Sequence, residues 1–297
     1  MRVLITGGGG FLAGHLLAQV GATGGVEVRS LSRADCDLST DKEKLSAVLS
    51  SFQPERIFHL AGRINGSEPE LFRDNQLATR NLLVSAVRVS PAPRIVFGSS
   101  TAVYGNGGTA AAAPLSEDQA AAPRGHYACS KYAAEEEAAA YARSGGWIVI
   151  ARMSNPVGAN MSNVLLCGTL ARQIVEIERG KPPILSLRDL TPKRDFISAR
   201  DCARALSHLA DVGSAGAIYN VAAGNSISIA EVVDIFLDLA RVRPIEVRSC
   251  PTDKDEERSS LREQWVSNVR LLSLRWKPEE TMPQAIGDLL DAERKRS

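Results

Sequence analysis

The sequence predicts an α/β protein, an open, doubly wound parallel sheet that carries a smaller α/β lobe. Up to about residue 152, short apolar runs alternate with helix-like stretches, and beyond it the pattern coarsens into helices separated by short strands. Strand and helix in alternation is the signature of parallel strands joined by right-handed crossovers. The composition, 44% hydrophobic and 23% charged over 297 residues, supplies a core of that size.

Taken in order, the elements are the strand RVLIT, a helix from Phe11 to Val20, the strand VEVRSL, a helix from Lys42 to Ser51, the strand RIFHLAG, a helix from Leu71 to Val89, the strand RIVFGSS, a helix from Tyr127 to Arg143 and the strand WIVIAR. The stretch Gly105 to Gly125 has no period and is rich in Gly, Ala and Pro, so it reads as a loop. Further helices are expected at Asn163 to Arg179, Ala199 to Ala210, Ser228 to Ala240 and Pro283 to Lys295, with turns at Lys181-Pro182-Pro183 and Thr191-Pro192. Residues 1–152 are therefore expected to form the sheet domain, and 153–297 mainly a second lobe, with part of that chain returning to the sheet.

Charge and cysteine usage narrow the class. Thirty-five Lys and Arg face 34 Asp and Glu, a balance with no global field to recruit nucleic acid or an anionic membrane. No apolar run approaches the roughly 18 residues of a membrane span. MRVLIT already reads as a buried strand, and the five cysteines are scattered without a C-x-x-C pair. Reduced thiols, no structural metal and a cytoplasmic location are the expectation.

TGGGGFLAGH follows the first strand and opens the first helix. Gly7, Gly10 and Ala13 form G-x-x-G-x-x-A, in which two glycines admit a pyrophosphate to backbone N–H groups at a helix N-terminus and a small third residue permits close helix–strand packing. The alternative is a tight turn without a ligand. The pattern predicts a Rossmann dinucleotide site. Such a site commonly has a ribose-binding carboxylate at the end of the second strand, but EVRSLSR ends in Ser32 and Arg33. A hydroxyl beside a guanidinium suits a 2′-phosphate, so NADP(H) is preferred, with NAD(H) possible and Arg33 as a solvated loop charge the other reading. Asp37-Leu38 offers a carboxylate to adenine or a surface acid.

Tyr127-Ala-Cys-Ser-Lys131 sets a phenol and an ammonium on one helical face. A fixed positive charge lowers a phenol's pKa from about 10, which makes Tyr127 a candidate general acid or base. Ser100, ending RIVFGSS, can bond the same substrate oxygen. Alone, Y-x-x-x-K is equally a surface helix pair; its place after a glycine loop and a Ser-bearing strand end gives it weight.

Together these residues resemble the extended short-chain dehydrogenase/reductase family, in its nucleotide-sugar epimerase, dehydratase and ketoreductase branch. The resemblance runs through TGGGGFLAGH, FHLAG (58–62), DNQLATRNLL with Asn75 and Asn81, SSTAVYG (99–105), YACSK, ARMSNPVG (151–158), RDFISARD (194–201), YNVAAG (219–224) and LRWKP. It implies that Ser100, Tyr127 and Lys131 are catalytic. It further implies that Phe11, Leu12, Leu60, Ala61, Gly62, Asn75, Tyr127 and Lys131 join Gly7, Gly10, Ser32, Arg33, Asp37 and Leu38 around the cofactor. Ser100, Thr101, Asn155, Arg194 and Arg258 are implied to hold a nucleotide-sugar substrate. It also implies a homodimer through the helices Leu71 to Val89 and Tyr127 to Arg143, which carry Leu77, Leu82, Leu83, Val84, Ala86 and Val87, and Ala133, Ala134 and Ala138 to Ala140.

Departures from the family pattern narrow the reaction. Thr101 and Ala102 stand where dehydratases carry an Asp-Glu pair, and Ala102 where epimerases acting at ring carbons three and five use a cysteine. Chemistry needing only hydride, Tyr127 and Ser100 is left. The C-terminal third most resembles GDP- and dTDP-4-keto-6-deoxyhexose reductases, so an NADPH-dependent 4-ketoreductase is the first expectation and a 4-epimerase the second. A dinucleotide-binding sensor or scaffold without turnover is the alternative outside enzymes; such proteins commonly lack the Tyr or Lys that this chain has.

Overall fold

The structure, a computed structural model, describes residues 1–105, 113–249 and 263–296. The first half runs β1 (Arg2–Thr6), α1 (Phe11–Gly21), β2 (Glu27–Leu31), α2 (Lys42–Phe52), β3 (Arg56–His59), α3 (Glu68–Phe72), α4 (Ala78–Ala86), β4 (Arg94–Ser100), α5 (Gly125–Arg143) and β5 (Ile148–Met153). The second half adds β6 (Asn155–Val157), α6 (Leu166–Glu178), β7 (Ile184–Leu187), β8 (Lys193–Arg194), β9 (Phe196–Ser198), α7 (Ala199–Val212), β10 (Ile218–Val221), β11 (Ile227–Ser228), α8 (Ile229–Leu239), β12 (Glu246–Ser249), β13 (Glu263–Gln264) and two closing helices, Val269–Ser273 and Met282–Lys295.

Val3, Leu4 and Ile5 are fully buried, as befits a parallel strand covered on both faces. The main sheet has six parallel strands in the order β10-β5-β4-β3-β1-β2. β10 comes from the second half and pairs with β5. On one face α1 and α7 close a core through Leu16, Leu206 and Leu209; on the other, α2, α4 and α5 do so through Leu45, Leu82 and Ala138. A third core, containing Leu170, Phe236 and Leu289, joins α6, α8 and the C-terminal helix. Phe11 of α1 packs against this third core, which brings it to the glycine loop.

Two local features differ from the sequence expectation. The helix expected from Leu71 starts at Glu68, because Ser67 and Glu70 form a capping box with a proline in the first turn. It then passes through a π-helical turn, Arg73–Leu77, before α4. After β4 the chain makes a 3₁₀ turn, Thr101–Tyr104, whose first N–H bonds are met by the Ser100 hydroxyl accepting from the Ala102 N–H at 3.2 Å. Among the described residues, no helix is long and apolar enough to cross a membrane.

This strand order positions the site. The chain leaves β1 for β2 on one side and resumes at β3 on the other, so the loops after β1 and β3 part at the carboxyl edge. A crevice opens at such a switch point.

Candidate active site

Gly7 follows β1 with φ +76°, and a Cβ there would lie 2.7 Å from the Ala61 backbone N. The turn closes with the Gly10 N–H donating to the Gly7 carbonyl at 2.8 Å. Gly10 is the extended N-cap of α1, with no side-chain cap and no acidic residue in the first turn. The first N–H groups of α1 are thus left for a ligand, at the positive end of the helix. This cradle fits a dinucleotide pyrophosphate.

Two cavities, of about 330 Å³ and about 300 Å³, share Gly7, Gly10, Leu60, Gly62 and Arg63 and form one groove along the sheet edge. The first contains Ser32, Arg33, Asp37, Leu38 and Ala61, and the second Phe11, Leu12, Asn75, Ser100, Tyr127 and Lys131. The residues named here come from six separate segments of the sequence and line a single groove.

At the Tyr127 end, the Lys131 ammonium donates to the Gly98 carbonyl at 2.6 Å and lies 4.7 Å from the Phe97 ring centroid. Burial lowers its pKa to about 8, against the opposing pull of Glu135 one turn further along α5. Tyr127 is half-buried; desolvation raises its phenol above the ordinary value, and a hydrogen bond with Ser100 offsets part of that rise. Behind them Glu135 accepts from Ser99 at 2.6 Å and from Arg152 at 2.7 Å, a buried pair that ties α5 to β4 and β5. Asn75 is directed inward by the π turn. Its amide donates to the Ser130 hydroxyl and the Arg63 carbonyl and accepts from the Arg63 N–H, which fastens the loop after β3 to α5.

At the Arg33 end charges meet one another. Arg33 pairs with Asp37 at 3.2 Å and with Asp74 at 2.5 Å. Arg63 and Arg73 reach the same Asp74 carboxylate at 2.5 and 2.8 Å. The Ser32 hydroxyl donates to Asp35 at 2.6 Å, and Asp37 accepts from the Ser39 hydroxyl at 2.6 Å.

The sequence profile of the NAD dependent epimerase/dehydratase family matches residues 3–222. The chain belongs to this family. It is 31% identical to GDP-6-deoxy-D-mannose reductase of Pseudomonas aeruginosa, over 97% of this chain and 96% of that protein. The solved structure of RMD from Pseudomonas aeruginosa complexed with NADPH superposes with a TM-score of 0.87, at 28% identity, covering 99% of both chains. The Thermus thermophilus UDP-glucose 4-epimerase complexed with NAD superposes at 0.86 with 25% identity, covering 100% of both.

In this family member not every expected substrate residue reaches the groove. Ser100 lines it, but Thr101, Asn155 and Arg194 line neither cavity. Thr101 is buried, with its carbonyl accepting from Gln264 at 3.3 Å. The Asn155 amide donates to the Asp195 carbonyl at 2.7 Å, and Arg194 donates to the Lys193 carbonyl at 2.7 Å. Arg258 lies outside the described residues. Sequence reasoning gave no role to Arg63 or Asp74, although Arg63 directly follows FHLAG and Asp74 is the first residue of DNQLATRNLL.

Proposed function

We propose that this chain reduces the 4-keto group of a nucleotide-diphosphate 4-keto-6-deoxyhexose with NADPH. One observation carries the reaction type. Among the described residues lining the Tyr127 end there is no Asp, Glu, His or Cys, so Tyr127 is the proton donor and no second acid or base stands by for elimination or for epimerisation next to a carbonyl. The substrate class is supported by the likeness to a GDP-6-deoxy-D-mannose reductase over nearly the whole chain.

When bound, the dinucleotide supplies hydride to the carbonyl carbon. Tyr127, protonated at neutral pH as any phenol with a pKa of about 10 is, gives its proton to the carbonyl oxygen as charge develops there. Ser100 donates a hydrogen bond to that oxygen and steadies the charge. The Lys131 ammonium stabilises the phenolate left on Tyr127, so the carbonyl becomes an alcohol for one hydride and one proton. Gly7, Gly10 and the N-terminus of α1 hold the pyrophosphate; Arg33 and Ser32 face the adenosine ribose. Residues 1–152 with β10 hold the cofactor, and the remainder of 153–297 holds the nucleotide sugar in this reading.

Two experiments test it. A melting-temperature screen of GDP, dTDP, UDP and CDP with NADPH present identifies the nucleotide, and the corresponding 4-keto-6-deoxyhexose conjugate should then drive steady NADPH consumption. Binding without consumption would leave a sensor or scaffold. The likeness to a 4-epimerase favours one other reading, in which sugars invert at carbon four without net consumption of cofactor.

The same reading includes a cytoplasmic homodimer. Leu82, Leu83, Ala86, Ala134 and Ala138 are spent on the chain's own core, which leaves Val84 and Val87, 57% and 65% exposed, to meet a second copy. Light scattering should give twice 31.8 kDa; a mass equal to one chain would refute the pairing.

A further inference from the structure

Arg33 leaves the end of β2, Arg63 follows β3 and Arg73 opens the π turn, and all three converge on Asp74. The Asp74 side chain is only 3% exposed, whereas that of Arg33 is 50% exposed. The carboxylate is thus a fixed point in the wall of the groove, and Arg33 is a solvent-exposed arm held against it. Burial opposes ionisation of Asp74, but the hydrogen bonds from Arg73, Arg33 and Arg63 overcome it and hold the carboxyl well below the usual carboxylate range. It stays charged throughout the neutral range.

This arrangement bears on which cofactor enters. A 2′-phosphate brings a charge of roughly −1.5 to −2. The arginines it would meet are already engaged, since two edges of Arg33 are taken by Asp37 and Asp74. Arg63 also lies 3.7 Å from Glu70, so three guanidiniums face three carboxylates and no positive charge is left over. An unphosphorylated ribose makes no demand on Arg33 and leaves these pairs undisturbed.

We propose that Asp74 sets the choice between phosphorylated and unphosphorylated nicotinamide cofactors by competing with the 2′-phosphate for Arg33 and Arg63. The proposal rests on the cofactor reading above. Asp74 is a positioning residue in it, acting through the arginines. The competition subtracts from NADPH affinity and leaves NADH affinity alone, so the protein discriminates less sharply than Arg33 by itself would allow.

Asp74→Asn keeps the shape and one acceptor while removing the charge. By calorimetry it should tighten NADPH, and the fragment adenosine 2′,5′-bisphosphate, by roughly three- to tenfold. NADH and AMP should change by less than about twofold. Adding Arg33→Ala to Asp74→Asn should remove most of the gain, because the freed arm is then missing and only Arg63 remains. If Asp74→Asn does not fold, Arg73→Ala replaces it, since Arg73 is 44% exposed. Without Arg73, Asp74 grips the other two arginines harder, and adenosine 2′,5′-bisphosphate should bind roughly two- to threefold more weakly with AMP unchanged.

Unchanged or weaker binding of the bisphosphate to Asp74→Asn, or an equal gain for AMP, would overturn the competition. So would unchanged or tighter binding of the bisphosphate to Arg73→Ala. A wild-type protein that binds neither NADPH nor the bisphosphate would instead remove the cofactor reading beneath it, which separates the two failures.

Discussion

The two ends of the groove handle charge in opposite ways. At the Tyr127 end the two groups beside the reacting position are tied to backbone or to a hydroxyl: Lys131 to the Gly98 carbonyl, Tyr127 to Ser100. At the Arg33 end charge is paired with charge, three arginines and two aspartates within one wall. The difference follows from what each end does in the proposed reaction. Proton transfer needs one donor at one place in a desolvated pocket, whereas recognition of an anion needs a field that can be rebalanced when the anion arrives.

Removing the proposed proton donor is the sharpest way to break this contrast. Tyr127→Phe keeps the ring and loses the hydroxyl, so turnover should fall by about two to four powers of ten, with NADPH affinity nearly unchanged. A variant that retains full turnover on a 4-keto-sugar nucleotide would show that the Tyr127 end does not work through one fixed donor. The pH profile sharpens the same point. Burial has lowered Lys131 to about 8, so its proton is lost as pH rises through that value. Turnover should then decline by about tenfold per pH unit, measured under saturating NADPH.

The other end answers to a smaller change. Arg33→Ala should weaken NADPH by about 1.5–3 kcal/mol, the worth of a charge-assisted bond to phosphate, and leave NADH nearly untouched. Titration of both cofactors checks it; equal losses for the two would mean that Arg33 merely closes the groove.

The same contrast explains what the sequence made legible. Tyr127 and Lys131 are four residues apart on one helix, and Gly7, Gly10 and Ala13 lie in one strand–turn–helix, so their chemistry is local and shows in spacing. The sheet was readable for a similar reason, because its central strands carry continuous apolar runs such as Val3 to Ile5 and Ile148 to Ile150. The Arg33 end is assembled from the ends of β2 and β3 and from the π turn. No periodicity announces that Arg33 and Arg63 will share one carboxylate, and a π turn leaves no pattern that distinguishes it from the helix around it. The Asp195 carbonyl's capture of Asn155 is likewise invisible until β6 and β9 pair.

Both ends rest on one buried residue, His59, and its titration gives the smallest effect. Thr79 donates its hydroxyl proton to the Asn75 carbonyl at 2.6 Å, so at 2.9 Å from His59 Nε2 it must accept from that nitrogen. The Nε2–H tautomer follows, and Nδ1 accepts from the Thr6 hydroxyl at 2.7 Å. Thr6 precedes the glycine loop and Asn75 lies beside Asp74, so the neutral imidazole links the floor of the groove to its wall. Burial, aided by the Lys131 charge, lowers its pKa to about 3. Between that value and the unfolded pKa of about 6.5 the unfolded chain binds the extra proton, so stability is lost as pH falls through this window. The loss should be about 1.4 kcal/mol per pH unit. Buried Asp195, raised to about 6, contributes with the opposite sign over part of the same range, so the measurement must be a difference. Urea midpoints of wild type and His59→Asn at pH 6.5 and 5.5 supply it. The variant should start less stable and fall less on acidification. Parallel losses in the two proteins would mean that His59 is already charged in the folded state, and that the hydrogen-bonded link between the two ends is not the neutral one described.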